Sequence, residues 1–192
     1  MINKGEIVLT DCNLLITRLY KFTKPIFTKK GFGGFILLII SSLWILIKDA
    51  SWFRFYSLNF FQFLILIFLG DGLLIIGTIV HEFLHSLMIK KYGGIIGAIG
   101  WKLFPIPSGF CDISDICYIN GRIARFSIYM IGVYFWIIIS LFFALLCKFS
   151  SPYWQGIFFY LAGYGIIATL VVSNPFTPSD GREAIREFCK KS

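Results

Sequence analysis

The chain has 192 residues, 57% of them hydrophobic and only 15% charged, with 22 phenylalanines, a net charge of +8 and a mean hydropathy of +0.79. Soluble domains average about 45–50% apolar and about 25% charged residues, so a compact soluble domain of this length could not hide so much apolar side chain, and disorder, collagen-like repeats and a coiled coil are excluded by the same figures. The positive charge does not indicate nucleic acid as a partner: the basic residues sit in clusters between apolar runs rather than on one face of a soluble domain, and the lipid bilayer is the partner that this pattern implies.

Residues 1–30 mix Ile7, Leu14, Leu15, Ile16, Leu19 and Phe22 with Arg18, Lys21, Lys24, Lys29 and Lys30. They are expected to form a cytosolic amphipathic arm, with Asp11 able to cap a short helix. Residues 31–192 are expected to form a single transmembrane domain. Phe32–Ile47 is the first apolar run, and a modest extension past Lys48 spans a ~30 Å hydrocarbon core. The second run, from Leu58 to Ile89, is interrupted by Asp71 and Gly72. Thirty-two residues make about 48 Å of helix, more than one crossing needs. Either one helix kinks at Gly70–Gly72, or a short segment precedes a separate helix capped by Asp71; one crossing with a break is preferred.

Residues 90–121 carry Gly93, Gly94, Gly97, Gly100, Pro105, Pro107 and Gly109, which forbid a continuous helix, yet Ile95, Ile96, Ile99, Trp101, Leu103, Phe104 and Ile106 keep the stretch apolar. Short strands in a re-entrant or interfacial loop satisfy both facts. Phe126–Leu146 and Trp154–Val172 are the third and fourth crossings, Asn174–Gly181 breaks the last of them, and Arg182–Lys191 is expected to close the chain as a short amphipathic helix. The expected fold is therefore an all-α polytopic membrane protein with about four transmembrane helices and a β-rich loop after the second. With four crossings and a cytosolic N-terminus, 15 Lys/Arg fall inside and three outside, a firm positive-inside bias that puts both termini in the cytosol. An integral protein of a prokaryotic plasma membrane is the expected location. The five cysteines, Cys12, Cys111, Cys117, Cys147 and Cys189, are odd in number and contain no CxxC pair, so they read as free thiols.

The only two histidines are four residues apart, in His81-Glu82-Phe83-Leu84-His85. This is the HExxH pattern. On a helix, positions i and i+4 share one face, so two neutral imidazoles can bind one Zn²⁺, while Glu82 reaches the ion's water without being a ligand and serves as general base and then as proton donor to the leaving amine. Three ionisable groups within five residues of an apolar helix are costly unless paired or metal-bound. Lys90 and Lys91 follow closely, which sets the ion within about 8–15 Å of the cytosolic boundary, close enough for water.

Zinc needs a third protein ligand. The candidates are Asp71, Asp112, Asp115 and Asp180, with Glu6, Asp11, Asp49, Glu183 and Glu187 in surface-like segments. Asp71 lies ten residues before His81, about 15 Å along a continuous helix, which is too far. Asp180 follows a membrane helix in a Pro-broken segment, with Gly181 allowing close backbone approach, and the topology returns it to the side of His81 and His85. It is the preferred third ligand. Asn174 is expected either to hydrogen-bond substrate or to hold the broken helix end. One strand of the 93–109 stretch is expected to offer an unpaired edge to an extended substrate, with Ile96 and Ile99 as positioning residues at which proline would lower turnover and spare bound zinc.

The HExxH pentapeptide on one membrane helix, with Asn174-Pro175 and Asp180-Gly181 at the end of a later one, resembles the site-2 protease family of intramembrane zinc metalloproteases. The run from Tyr92-Gly93-Gly94 through Pro105-Ile106-Pro107 to Cys111-Asp112-Ile113-Ser114-Asp115 resembles that family's peptide zinc metalloprotease branch. The resemblance covers roughly residues 58–185. It implies His81, His85 and Asp180 as ligands of one zinc ion, Glu82 as the catalytic acid/base, and a membrane-embedded or membrane-associated protein or peptide precursor as substrate. The family's Gly-Pro…Asn motif is degraded: Gly132 stands where its glycine would be, but Val133 follows and no asparagine is near. The alternative is a catalytically silent membrane scaffold or binding protein that keeps the protease fold.

Overall fold

Lipid offers no hydrogen bonds to a peptide group, so each apolar run must close its own as a helix. The computed structural model describes residues 2–3, 6–10, 12–102, 108–112 and 114–189. Asp11, Ile113 and the 103–107 stretch with Pro105 and Pro107 lie outside the described residues, as do the side chains of Glu6 and Asp115. In chain order the elements are β1 (Ile2–Asn3), β2 (Glu6–Thr10), α1 (Asn13–Thr23), α2 (Lys29–Lys48), α3 (Phe60–Lys91), β3 (Ala98–Lys102), β4 (Ser108–Cys111), α4 (Arg122–Phe149), α5 (Pro152–Ser173) and α6 (Asp180–Cys189), with 3₁₀ turns at Ala50–Trp52 and Ser114–Tyr118. Most of the chain is helical, and α2, α3, α4 and α5 are each long and apolar enough to cross a membrane.

The second apolar run is one uninterrupted helix. Asn59 and Gln62 form a reciprocal capping box at its start, each side chain accepting from the other's backbone N–H at 2.9 Å. Asp71 and Gly72 do not divide it, because a break at that depth would strand backbone groups in lipid. The excess over one bilayer thickness has a different resolution from the expected break. The last turns of α3 leave the apolar solvent and enter a protein core: Ser86, Leu87, Met88 and Ile89 are all buried, packed with Ile16 of α1, Ile96, Ile99, Ile119, Ile128 of α4 and Ala184 of α6.

In the N-terminal segment Cys12 and Ile16 pack into that core, while Leu14, Leu15 and Phe22 of α1 stay exposed. Residues 2–3 and 6–10 are strands, and the described sheet is antiparallel in the order β1-β2-β3-β4, with Leu9 opposite Ile99 and Ile99 opposite Cys111. The amphipathic helix expected near Asp11 begins at Asn13 without a side-chain cap at Cys12. At the other end of the bundle, α2 lies against α4 and α5 through Leu46, Ala144 and Ala162, and α3 meets α5 through Leu66, Ile157 and Leu161. Gln62 Nε2 donates to the Tyr153 carbonyl at 2.7 Å and fixes the level of α3 against α5.

Candidate metal centre

His81 and His85 occupy successive turns of α3 and are 6% and 4% exposed. Their rings stand at 72° to each other with centroids 4.7 Å apart. Two features of α4 set them. The His85 ring places Nδ1 2.7 Å from the carbonyl oxygen of Ile128. A carbonyl only accepts, so Nδ1 carries the proton, and Nε2 of the neutral ring is left with its lone pair. His81 fits because residue 132 is glycine: a Cβ there would run into the His81 imidazole. His81 Nδ1 is buried and has no hydrogen-bond partner among the described residues.

Asp180 arrives from 95 residues away. Helix α5 stops at Asn174, whose Oδ1 accepts from the Phe176 N–H at 2.9 Å and turns the chain back. Ser179 Oγ donates to the Asn174 carbonyl and accepts from the Arg182 N–H, which starts α6 at Asp180. Gly181 lets the new helix press on the Ser173 carbonyl, where any Cβ would collide. Asn174 therefore holds the broken helix end, one of the two roles expected for it.

The result is a convergent triad. Asp180 Oδ2 lies 3.0 Å from His81 Nε2 and 3.0 Å from His85 Nε2, and the two Nε2 atoms are 3.0 Å apart. A tetrahedral ion with bonds of about 2.0–2.1 Å holds its donors roughly 3.3 Å from one another, so the spacing is within a few tenths of an ångström of what zinc asks. The donor set, two imidazole nitrogens and one carboxylate, is also that of an open zinc site. Burial pushes the pKa of Asp180 up, and the hydrogen bonds and charges of His81 and His85 outweigh it, leaving the carboxyl well below its ordinary range. Among the described residues no other group of His, Cys, Asp and Glu comes together in this way.

The remaining candidates are elsewhere. Asp71 is exposed on α3. The Asp112 carboxylate lies against Gly97, Asp49 pairs with Lys148 at 3.4 Å and Glu183 with Arg186 at 2.9 Å. Glu82 is half-buried, and its Cγ faces Gly109 of β4, where a Cβ would crowd both Glu82 and Thr78. Ile96 and Ile99 do not line a substrate face. Ile96 is 1% exposed, and Ile99 is buried in the central strand β3, flanked by β2 and β4. Proline at either would disrupt the core, and of the two edge strands of the described sheet, β1 and β4, it is β4 that lies beside Glu82.

Sequence reasoning missed Glu187. Far from being a surface residue, it is buried and accepts from Arg125 Nε at 2.5 Å, while the same guanidinium donates to the Ile119 carbonyl at 2.7 Å. This pair clamps α6 onto α4 and so positions Asp180. The signal was present: Asp180, Ala184 and Glu187 fall at i, i+4 and i+7, one face of a helix. No family model, curated protein or solved structure matches the chain, so the site stands on its own geometry.

Proposed function

We propose that the protein is an intramembrane zinc endopeptidase of the site-2 protease type, acting on a membrane-embedded or membrane-associated protein or peptide precursor. The observation that carries this reading is the meeting of His81 Nε2 and His85 Nε2 of the largely apolar helix α3 with Asp180 Oδ2 of α6, within 3.0 Å of one another and beside Glu82. These three residues would hold one zinc ion. When bound, zinc supplies the Lewis acidity that makes water nucleophilic near neutral pH and polarises a carbonyl.

The chain's own groups do the rest. The Ile128 carbonyl keeps His85 in the tautomer that offers Nε2. Glu82 takes the proton of the attacking water and returns it to the departing amine. A helical substrate shields its peptide bonds with its own hydrogen bonds, and β4, an edge strand of the described sheet beside Glu82, is where an unwound segment would find replacement partners. The excess of Lys and Arg at the end of the bundle bearing Lys90, Lys91, Arg122, Arg125 and α6 favours a site on the cytosolic side of the membrane with both termini in the cytosol, and the plasma membrane of a prokaryote is the location assigned under this reading.

The test is purified full-length protein beside Glu82→Gln, assayed for zinc by mass spectrometry and for cleavage of membrane-spanning peptides in vesicles. One zinc per chain in both, with cleavage by wild type only, is expected. Absence of zinc from wild type, or undiminished cleavage by Glu82→Gln, overturns the reading.

A further inference from the structure

Asp71 is not used by the metal centre, and its position demands a partner. It sits on α3 eleven residues past Phe60, about 16 Å from that end. Its neighbour Gly70 packs against the ring of Tyr164, which lies near the middle of α5, and Gln62 meets Tyr153 where α5 begins. These contacts set Asp71 at mid-depth in the apolar bundle. It is nevertheless exposed, with no hydrogen bond or ion pair among the described residues, and Phe68 and Ile75 beside it are 80% and 48% exposed. An ionisable group facing hydrocarbon costs several kcal/mol unless something pairs with it.

The same face of the helix continues to the chemistry. Asp71, Ile75, Thr78 and Glu82 fall at i, i+4, i+7 and i+11, one stripe down α3. Its far end, Thr78 and Glu82, meets Gly109 of the open-edged strand β4. The first membrane helix does not cover the stripe, because α2 packs on α4, Phe32 against Tyr134 and Leu46 in the cluster with Ala144. One surface therefore opens to lipid at Asp71 and ends at the glutamate.

We propose that this stripe is the docking track for the substrate's membrane segment, and that Asp71 selects segments carrying a Lys or Arg at mid-depth. This rests on the protease reading and names its substrate class. The distance from Asp71 to Glu82 is about 16 Å, which a fully helical substrate spans in eleven residues and a fully extended one in about five. The basic residue thus belongs between roughly five and eleven residues from the cleaved bond.

The experiment uses the full-length, zinc-loaded Glu82→Gln protein in phosphatidylcholine vesicles, titrated by energy transfer with a labelled single-span Leu/Ala helix bearing one Lys that is moved along its length. Association at least tenfold tighter than for the Lys-free parent is expected when the Lys is at the depth of Asp71, and not when it is displaced by two turns. Asp71→Asn should remove that gain with zinc content unchanged, and Asp71→Lys should recover it with a helix bearing Asp in place of Lys. Equal binding of parent and Lys helices, or a gain that survives Asp71→Asn, overturns the proposal. Because binding is read on a non-cleaving protein, failure of wild type to cleave any helix counts against the protease reading alone.

Discussion

The two ends of the helix bundle treat polar groups in opposite ways. At the end where α3 begins, the polar side chains that bridge segments finish on backbone carbonyls: Gln62 on Tyr153, Trp52 on Leu46, Tyr160 on Tyr56, and Lys148 on Ile45 and Asp49. In each of these a donor meets an acceptor. At the other end, His85 spends its one N–H on Ile128, and its remaining lone pair faces a carboxylate oxygen 3.0 Å away. Two acceptors at that distance repel unless a proton or a cation lies between them. A polar residue in an apolar helix is therefore not in itself a site; what sets this end apart is that three metal-ligand atoms from two helices converge on one point. The first end ties helices together, and the second gathers a set of groups able to hold a cation.

The largest effect should come from removing the ligand that closes the triad. Asp180→Asn keeps the size of the side chain but gives up the charge. Zinc affinity is expected to fall at least a hundredfold by competition with a fluorescent chelator, with the helical circular dichroism unchanged. Retained affinity would mean that the two ends do not differ as argued. The next effect concerns how α6 is held. Arg125→Met strips the buried Glu187 of its partner, and breaking such a pair costs about 3–5 kcal/mol when fully buried, less here because Arg125 is partly exposed. A lower melting temperature and roughly tenfold weaker zinc binding are expected, with the double variant Arg125→Met, Glu187→Leu recovering stability more than zinc affinity.

The opposite end supplies the control. Gln62→Leu loses the bond to Tyr153 and half of the capping box at the start of α3, a cost of about 1–2 kcal/mol. The melting temperature should drop while zinc remains at one per chain and its affinity unaltered. If Gln62→Leu impaired zinc as strongly as Arg125→Met, the contrast between a tying end and a binding end would be lost.

What the sequence makes legible follows the same division. The four apolar helices are written in composition, because lipid requires continuous runs, and the HExxH spacing is written in helix periodicity. Asp180 is legible through the Pro-broken segment that carries it. The course of α3 is not, because Asp71 and Gly72 are breakers in water, whereas inside a bilayer an interrupted helix costs more than a poorly placed residue. The pairing of β2 with β3 joins residues about 90 positions apart, and no local pattern records it. Ile96 and Ile99 looked like an open edge because a Gly/Pro-rich apolar stretch shows that strands exist but not which strand lies at the edge. The Ile128 carbonyl that orients His85 is a backbone atom, and any residue type there would supply it. Glu187 sat on a readable helix face, but its partner Arg125 lies on another helix, and the sequence does not say which faces meet.

The smallest effect separates the protein-coated part of the binding end from its surface. Cys111 of β4 lies 3.0 Å from Ser86 Oγ of α3, and burial pushes its thiol up to about 12. Cys117 and Cys189 are exposed. At pH 8 Cys111 is almost wholly protonated as well as screened, whereas Cys117 and Cys189 are open to the reagent. Iodoacetamide at pH 8 should therefore modify Cys117 and Cys189 at least tenfold faster than Cys111, as read by mass spectrometry of the alkylated peptides. The sign for stability follows from the same shift. A thiol raised in the folded state keeps its proton where the unfolded chain has lost it, so its contribution is complete below about pH 8.5 and is lost as pH rises toward 12. Replacing Cys111 with Ala should flatten that part of the alkaline decline. Rapid alkylation of Cys111 would show that β4 lifts from α3 readily, and the strand could not then serve as a fixed edge beside Glu82.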